Sequence, residues 1–176
     1  GGAGLVQYTL PALADGVAIN ATYASAGENN EGSTALGLVY TGIEGLTVSL
    51  GTGNDNTTVA VDADYTTMKA SYVYGSITAG ISASEYDHTT AANDQEVKSF
   101  GLSYTVTDDI SISYGQDTIE NNTDSADIEV DGITASYTSG GMTVTAKRVS
   151  ADNVDGSSTG VNNDRSMFKL AASFAF

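Results

Sequence analysis

The chain has 176 residues, a formal net charge of −16 from 22 acidic and 6 basic side chains, and no cysteine. So negative a surface repels phosphate backbones, which argues against nucleic acid as a partner, and the lack of thiols excludes disulfides and thiolate metal sites. With 20 glycines, one proline and no apolar run near the ~18 residues of a transmembrane helix, the composition indicates an all-β protein.

The dominant pattern is the alternation of apolar and polar residues. From Val17 to Tyr23, every second residue is apolar, and the residues between them are small or polar. Because successive side chains of a strand point to opposite faces, each such segment has one apolar and one polar face. The pattern predicts about eleven strands, each near the ~10 residues that cross a bilayer as a tilted strand. In chain order they cover residues 5–10, 16–25, 34–42, 45–53, 66–74, 76–86, 97–106, 109–117, 129–138, 141–150 and 165–176.

The predicted connections alternate between short and long. The short ones cover residues 11–15, 42–45, 75, 107–109 and 139–141, and the long, polar ones cover 26–33, 53–65, 87–96, 118–128 and 151–164. This alternation is typical of an up-and-down transmembrane β-barrel, with tight turns facing the periplasm and long loops facing outside. The competing fold is a soluble β-sandwich, which usually has Greek-key spacing and bulkier inward residues than this Ala-, Val- and Leu-rich face.

Aromatic residues occur at two levels along the predicted strands. The level beside the short turns has the parity of the apolar face and consists of Tyr8, Tyr40, Tyr72, Tyr74, Tyr104, Tyr137, Phe174 and Phe176. Tyr23, Tyr86 and Tyr114 lie near the opposite strand ends. Two such rows are expected where aromatic girdles meet the two membrane interfaces.

Most of the cations have the parity of the polar face. They are Lys69, Lys147, Arg165 and Lys169. Charges are costly on a lipid-facing surface near the midplane, so these side chains are expected in a water-filled lumen. Small residues of the same parity, such as Gly80, Gly101 and Ser113, favour a wide lumen, since a small barrel fills its interior with large side chains. Lys98 and Arg148 have the opposite parity and are expected to extend toward lipopolysaccharide phosphates.

Catalytic and metal-binding patterns are weak. His88 stands beside Asp87 in a long polar connection, and no partner nucleophile can be identified, so we predict no enzyme activity. No cofactor is predicted. Asp55, Asp62 and Asp64 are the candidates if the external loops bind Ca²⁺, but the sequence has no EF-hand spacing, and simple solvation of these carboxylates is favoured.

Two segments resemble known outer-membrane proteins. Residues 4–11 (GLVQYTLP) with 16–23 (GVAINATY) resemble a mid-protein hairpin of alphaproteobacterial general diffusion porins. Residues 168–176 (FKLAASFAF) resemble the last strand of outer-membrane barrels, whose C-terminal aromatic serves as an insertion signal in that family.

The resemblance implies a Gram-negative outer-membrane porin that passes small hydrophilic solutes by passive diffusion and assembles as a homotrimer. The family has sixteen strands and a constriction loop, so residues 1–176 would be a single β-barrel domain lacking the N-terminal strands and that loop. It also implies that Lys69, Lys147, Arg165 and Lys169 are candidates for a basic wall facing acidic residues across the constriction.

Three alternatives remain open from the residues. The chain could be a complete barrel of about 10 or 12 strands, with one strand miscounted or hidden in residues 57–64 around Val59 and Val61. It could be a small outer-membrane barrel that serves as an anchor or adhesin, with loops that bind an external partner. It could also be a soluble β-rich adhesin or solenoid.

Overall fold

The computed structural model describes residues 4–11, 14–26, 32–58, 61–159 and 163–175. Eleven strands form one antiparallel sheet in which each strand pairs with its neighbours in sequence, which confirms the predicted up-and-down order. Within the described residues β1 and β11 are the two edges of the sheet and do not pair. The strands are β1 (Leu5–Thr9), β2 (Val17–Ala24), β3 (Ser33–Tyr40), β4 (Leu46–Thr58), β5 (Val61–Tyr74), β6 (Ile77–His88), β7 (Gln95–Thr107), β8 (Ile110–Asn121), β9 (Ile128–Ser139), β10 (Met142–Asp152) and β11 (Arg165–Phe174).

Several strands extend further toward the long connections than the sequence predicts. The loop predicted at 53–65 is wrong, because β4 and β5 continue to pair through Asn54 with Asp64 and Asp55 with Ala63. Asn and Asp read as loop formers, but cross-strand hydrogen bonds hold them in the sheet here. The hidden strand considered for residues 57–64 is also wrong, since Val61 begins β5. Val59 lies outside the described residues.

Cross-strand register carries the two faces from strand to strand, because directly paired residues point the same way. Leu38 pairs with Leu50, and Leu50 pairs with Met68, on what we call the apolar face. Ser49, next to Leu50, pairs with Lys69 on the other side, the polar face. Register pairs continue the two faces from β1 to β11.

The sheet encloses no apolar core. Among the described residues, Ala63 is the one buried hydrophobic side chain, whereas Phe168 and Leu170 on the apolar face are 71% and 66% exposed. The accessible surface is 11472 Å², against about 8,000 Å² for a soluble protein of this mass. This single exposed layer rules out the β-sandwich, whose apolar face would be covered by a second sheet.

No helix among the described residues is long and apolar enough to cross a membrane.

The tight turns depend on glycine where the chain reverses most sharply. Gly140 and Gly141, between β9 and β10, have φ angles of 56° and 83°. Two consecutive residues with positive φ define the type I′ turn that matches the twist of a hairpin. This turn sets the register of β9 and β10, and thereby the positions of the charged residues on them.

Candidate pore wall

Between β9 and β10 the polar face carries pairs of small hydroxyl side chains. Facing hydroxyls on β9 and β10 contact each other directly, with Thr138 Oγ1 and Thr143 Oγ1 3.1 Å apart and Ser136 Oγ and Thr145 Oγ1 3.3 Å apart. Both pairs are direct register partners. Short side chains of this kind keep the wall wettable and leave the space in front of it open.

Four glycines align across the polar face. Gly80 of β6 pairs with Gly101 of β7, Gly101 with Gly115 of β8, and Gly115 with Gly132 of β9. We call this alignment the glycine row. Together these residues make a band, four strands wide, in which no side chain projects from the wall.

Backbone conformation does not explain the glycine row. None of its members has a positive φ, and an added Cβ at Gly101 would meet nothing within 4 Å. At Gly115 the nearest atom would be the Phe100 carbonyl oxygen at 3.6 Å, an ordinary contact. Three shallow depressions of ≈ 260, ≈ 210 and ≈ 270 Å³ lie along the row. The row therefore widens the space beside the wall.

The register brings two of the predicted lumen cations together. Lys147 of β10 and Lys169 of β11 are direct partners on the polar face. Lys147 also pairs with Thr134, which pairs with Ser113, which in turn pairs with Ser103. This row of register partners lies next to the glycine row, on the side of the short turns. Like charges placed directly opposite each other disfavour the sheet, so this pair does not exist to stabilise the fold.

The other two predicted cations lie apart from this pair. Arg165 stands toward the outer end of β11 opposite Ala151, and its guanidinium donates to the Asp164 carbonyl oxygen at 3.3 Å. Lys69 lies on β5, five strand spacings or about 24 Å along the sheet from β10. It lines the depression at Gly80 and Gly101. The four cations thus occupy two separate sectors of the polar face.

The polar face carries charged side chains that form no ion pair among the described residues. Among the described residues, neither Lys69, Lys147 nor Lys169 forms an ion pair, although the chain has 22 acidic side chains. Asp117 of β8 lines the same depression as Lys147, and both are next to the glycine row. The polar face therefore presents fixed charges of both signs to solvent.

The aromatic residues beside the short turns share the apolar face. Tyr74 is 73% exposed, and its ring stacks on that of Tyr72 with the centroids 6.4 Å apart. Phe176 lies outside the described residues. The remaining predicted girdle residues on the apolar face are Tyr8, Tyr40, Tyr104, Tyr137 and Phe174.

The sequence prediction of a second aromatic girdle, near the long connections, is wrong for Tyr86. Tyr86 pairs with Tyr65 on the polar face, and its ring lies 6.4 Å from that of His88. Tyr86 has an even number on a strand whose apolar-face residues, such as Ile77 and Ile81, are odd, so it points to the polar face. Tyr23 and Tyr114 do lie on the apolar face.

The two cations of the apolar face differ in their surroundings. Lys98 Nζ lies 2.9 Å from both Glu96 Oε2 and Glu120 Oε1, which joins β7 to β8. Arg148, next in sequence to Lys147, has no hydrogen bond or ion pair with any residue that the structure describes.

The long connections bond to one another in a loop crown, formed by residues 89–94, 122–127 and 153–159. Asn122 Nδ2 donates to the Ala91 carbonyl oxygen at 2.8 Å. On the other side, the Ser125 amide donates to the Gly156 carbonyl oxygen at 2.8 Å. The loop at residues 122–127 thus forms hydrogen bonds to both of its neighbours and links the three parts of the crown.

Gly156 is the most constrained position of the crown. It is buried, its φ is 70°, and an added Cβ would overlap the Asp124 carboxyl group. Gly156→Val is therefore expected to speed protease cleavage in the crown at least about tenfold, equivalent to about 1.4 kcal/mol of local stability. Limited proteolysis of the extracted protein measures this. Ser158→Val, at an exposed position of the same loop, is the matched control, and equal cleavage of both variants would contradict the prediction.

Two of the three calcium candidates lie in the same strand. Asp62 and Asp64 lie on β5 instead of a loop, and the side chain of Asp55 is not described. Within the described part of the chain, no group of three or more His, Cys, Asp or Glu residues is arranged to hold a metal ion. His88 Nδ1 accepts a hydrogen bond from the Thr90 amide at 2.8 Å, a structural contact between the end of β6 and the loop that follows it.

Comparison with known proteins agrees with this architecture. The sequence profile of Gram-negative porins matches residues 2–156. A search of curated proteins finds no match. Among solved structures, OmpT of Vibrio cholerae in its trimer form is 22% identical with a TM-score of 0.65, covering 97% of this chain and 64% of that one.

Two further solved structures have the same fold. An anion-selective porin from Comamonas acidovorans is 16% identical with a TM-score of 0.66, and the match covers 84% of this chain and 48% of that porin. A structure described as porin is 19% identical with a TM-score of 0.68, covering 98% of this chain and 60% of its own. The chain therefore spans less than two thirds of the length of each.

An exposed apolar face, a polar face of small residues and an eleven-stranded antiparallel meander are the features expected of a porin wall. Because the family profile covers residues 2–156, this chain belongs to the Gram-negative porins of the outer membrane.

Proposed function

We propose that the polar face lines a water-filled pore through which small hydrophilic solutes and ions diffuse passively, and that the chain catalyses no reaction. The observation that carries this proposal is the glycine row, where the wall has no side chains and a Cβ would meet open space at Gly101. A barrel that serves only as an anchor has no need to clear its interior. A wall without side chains serves a lumen through which solutes must pass.

We propose that further strands close the barrel. The outer hydrogen-bonding edges of β1 and β11 have no partner strand among the described residues. Unpaired backbone groups are too costly in hydrocarbon, so only a closed barrel can span the membrane with strands. The sixteen strands implied by the family resemblance would meet this requirement and leave an aqueous channel.

We also propose a homotrimer embedded in outer-membrane lipid and lipopolysaccharide. The trimer form described for OmpT supports the assembly. The exposed apolar face supports contact with lipid, since Phe168, Leu170 and Tyr74 have no covering layer. In such a pore Lys69, Lys147, Arg165 and Lys169 would form the basic part of the lumen wall.

Conductance across a planar bilayer tests the proposed function directly. Protein extracted natively in mild detergent is expected to give large, stable, ohmic steps that often close in threes. Such steps require an open aqueous path in each of three subunits. Folding is checked independently by gel mobility with and without heating.

The absence of steps from protein that is folded and inserted would contradict the pore. A membrane anchor or adhesin would then be the better function, with the loop crown as its binding surface. That outcome would also require something to fill the space in front of the glycine row.

A further inference from the structure

The unpartnered arginine of the apolar face has no structural explanation within the described chain. Arg148 follows the apolar-face residues Met142, Val144 and Ala146 along β10. Its cross-strand partners on the two sides are Ile133, 50% exposed, and Phe168, 71% exposed. A cation therefore stands among exposed apolar side chains, on the face that lipid covers in this family.

The position of Arg148 along the membrane normal suits a contact at the outer membrane–water interface. From Met142 to Arg148 the strand rises about 20 Å, which is about 14 Å along the membrane normal at a tilt of about 45°. An extended arginine side chain reaches about 7 Å further, close to the outer edge of an apolar band about 25 Å tall. On the apolar face, the next outward residues of β10 and β11 are Ser150 and Ser166, so the polar region begins there.

Arg148 lacks the carboxylate partners that Lys98 has. Lys98 is the other cation on this face, and the carboxylates of Glu96 and Glu120 neutralise it within the chain. Asp131 of β9 pairs with Ser150, two residues beyond Arg148 on the same face, and does not form an ion pair with Arg148. A cation at the edge of hydrocarbon that has no carboxylate partner among the described residues would be stabilised by an anionic group from outside the chain.

We propose that Arg148 binds a phosphate group of lipopolysaccharide in the outer leaflet. The guanidinium donates in a planar fork that matches phosphate oxygens, and the exposed Ile133 and Phe168 beside it offer apolar surface to the acyl chains. An amphiphile with phosphate above hydrocarbon matches this arrangement. The inference rests on the outer-membrane location and does not require an open pore.

The test compares the protein in two membranes. Wild type, Arg148→Gln, Arg148→Lys and Lys98→Gln are extracted natively and reconstituted in phosphatidylcholine vesicles with or without lipid A. The readout is the temperature at which the folded form, resolved by gel mobility, is lost. Lipid A is expected to raise this temperature by several degrees in wild type and Lys98→Gln, partly in Arg148→Lys, and much less in Arg148→Gln.

Two results would overturn the proposal. One is an undiminished effect of lipid A on Arg148→Gln. The other is an equal loss of stability of Arg148→Gln in both membranes, which would assign the contact to Asp131 or to a second copy. Conductance in phosphatidylcholine bilayers is measured in parallel, and silence of every variant there would contradict the pore while leaving the lipid A comparison valid.

Discussion

Replacing Gly101 and Gly115 with phenylalanine is expected to lower the single-channel conductance by roughly a third to a half while the barrel stays folded. Both positions belong to the glycine row on the polar face. Each new ring would project about 6 Å into the lumen. The fold should tolerate the change, because neither φ is positive and the nearest atom to an added Cβ is at 3.6 Å. Single-channel recordings in planar bilayers measure the effect.

Leu102→Phe is the matched control for this experiment. Leu102 follows Gly101 on β7 but lies on the apolar face, where it is 43% exposed. The same ring added there should leave conductance unchanged. Wild-type conductance in the double glycine variant would show that the glycine row lies outside the permeation path. An equal decrease in Leu102→Phe would mean that the faces are assigned the wrong way round.

Reversing the charge of Lys147 and Lys169 is expected to shift the pore several-fold toward cations. At about 7 Å in water, one unit charge changes the energy of a passing ion by about 0.6 kcal/mol, about threefold in local concentration at low salt. Lys147→Glu with Lys169→Glu replaces two attractions for anions by two for cations. The reversal potential across a salt gradient near 0.1 M measures the shift, which should largely vanish near 1 M, where the Debye length falls to about 3 Å.

Arg148→Glu provides the control, since Arg148 is adjacent to Lys147 and lies on the opposite face. It makes the same change in charge as Lys147→Glu, but outside the lumen. Lys147→Glu alone should therefore move the reversal potential, and Arg148→Glu should not. Equal shifts in the two variants would show that net charge, not position on the polar face, governs selectivity.

The sequence predicts which face of the sheet a residue occupies better than it predicts which residues of neighbouring strands lie side by side. Lys147 and Arg148 can be assigned to opposite faces because period two along one strand decides the question. The pairing of Lys147 with Lys169 and the glycine row depend on the register between strands. A slip of one residue would move these side chains to the other face, and register is set by turns and hydrogen bonds that a linear pattern does not show.

Other errors have a different origin. Asn54 and Asp64 look like loop residues, yet they pair in β4 and β5 above the apolar part of the sheet. There both faces meet water, so alternation, the signal that identifies a strand, is lost. Gly156 likewise resembles any loop glycine, because its contact with Asp124 comes from a connection far away in sequence.

The strand order has a consequence for how the protein assembles. Every pairing in the sheet joins strands adjacent in sequence, so each hairpin can form by closing a short stretch of chain at small entropic cost. In the closed barrel proposed above, the meeting of the first and last strands would be the one pairing that joins distant parts of the polypeptide. Sealing that seam is therefore expected to be the slow step of insertion, and until it is complete the nascent barrel offers two open edges to any strand-like segment nearby.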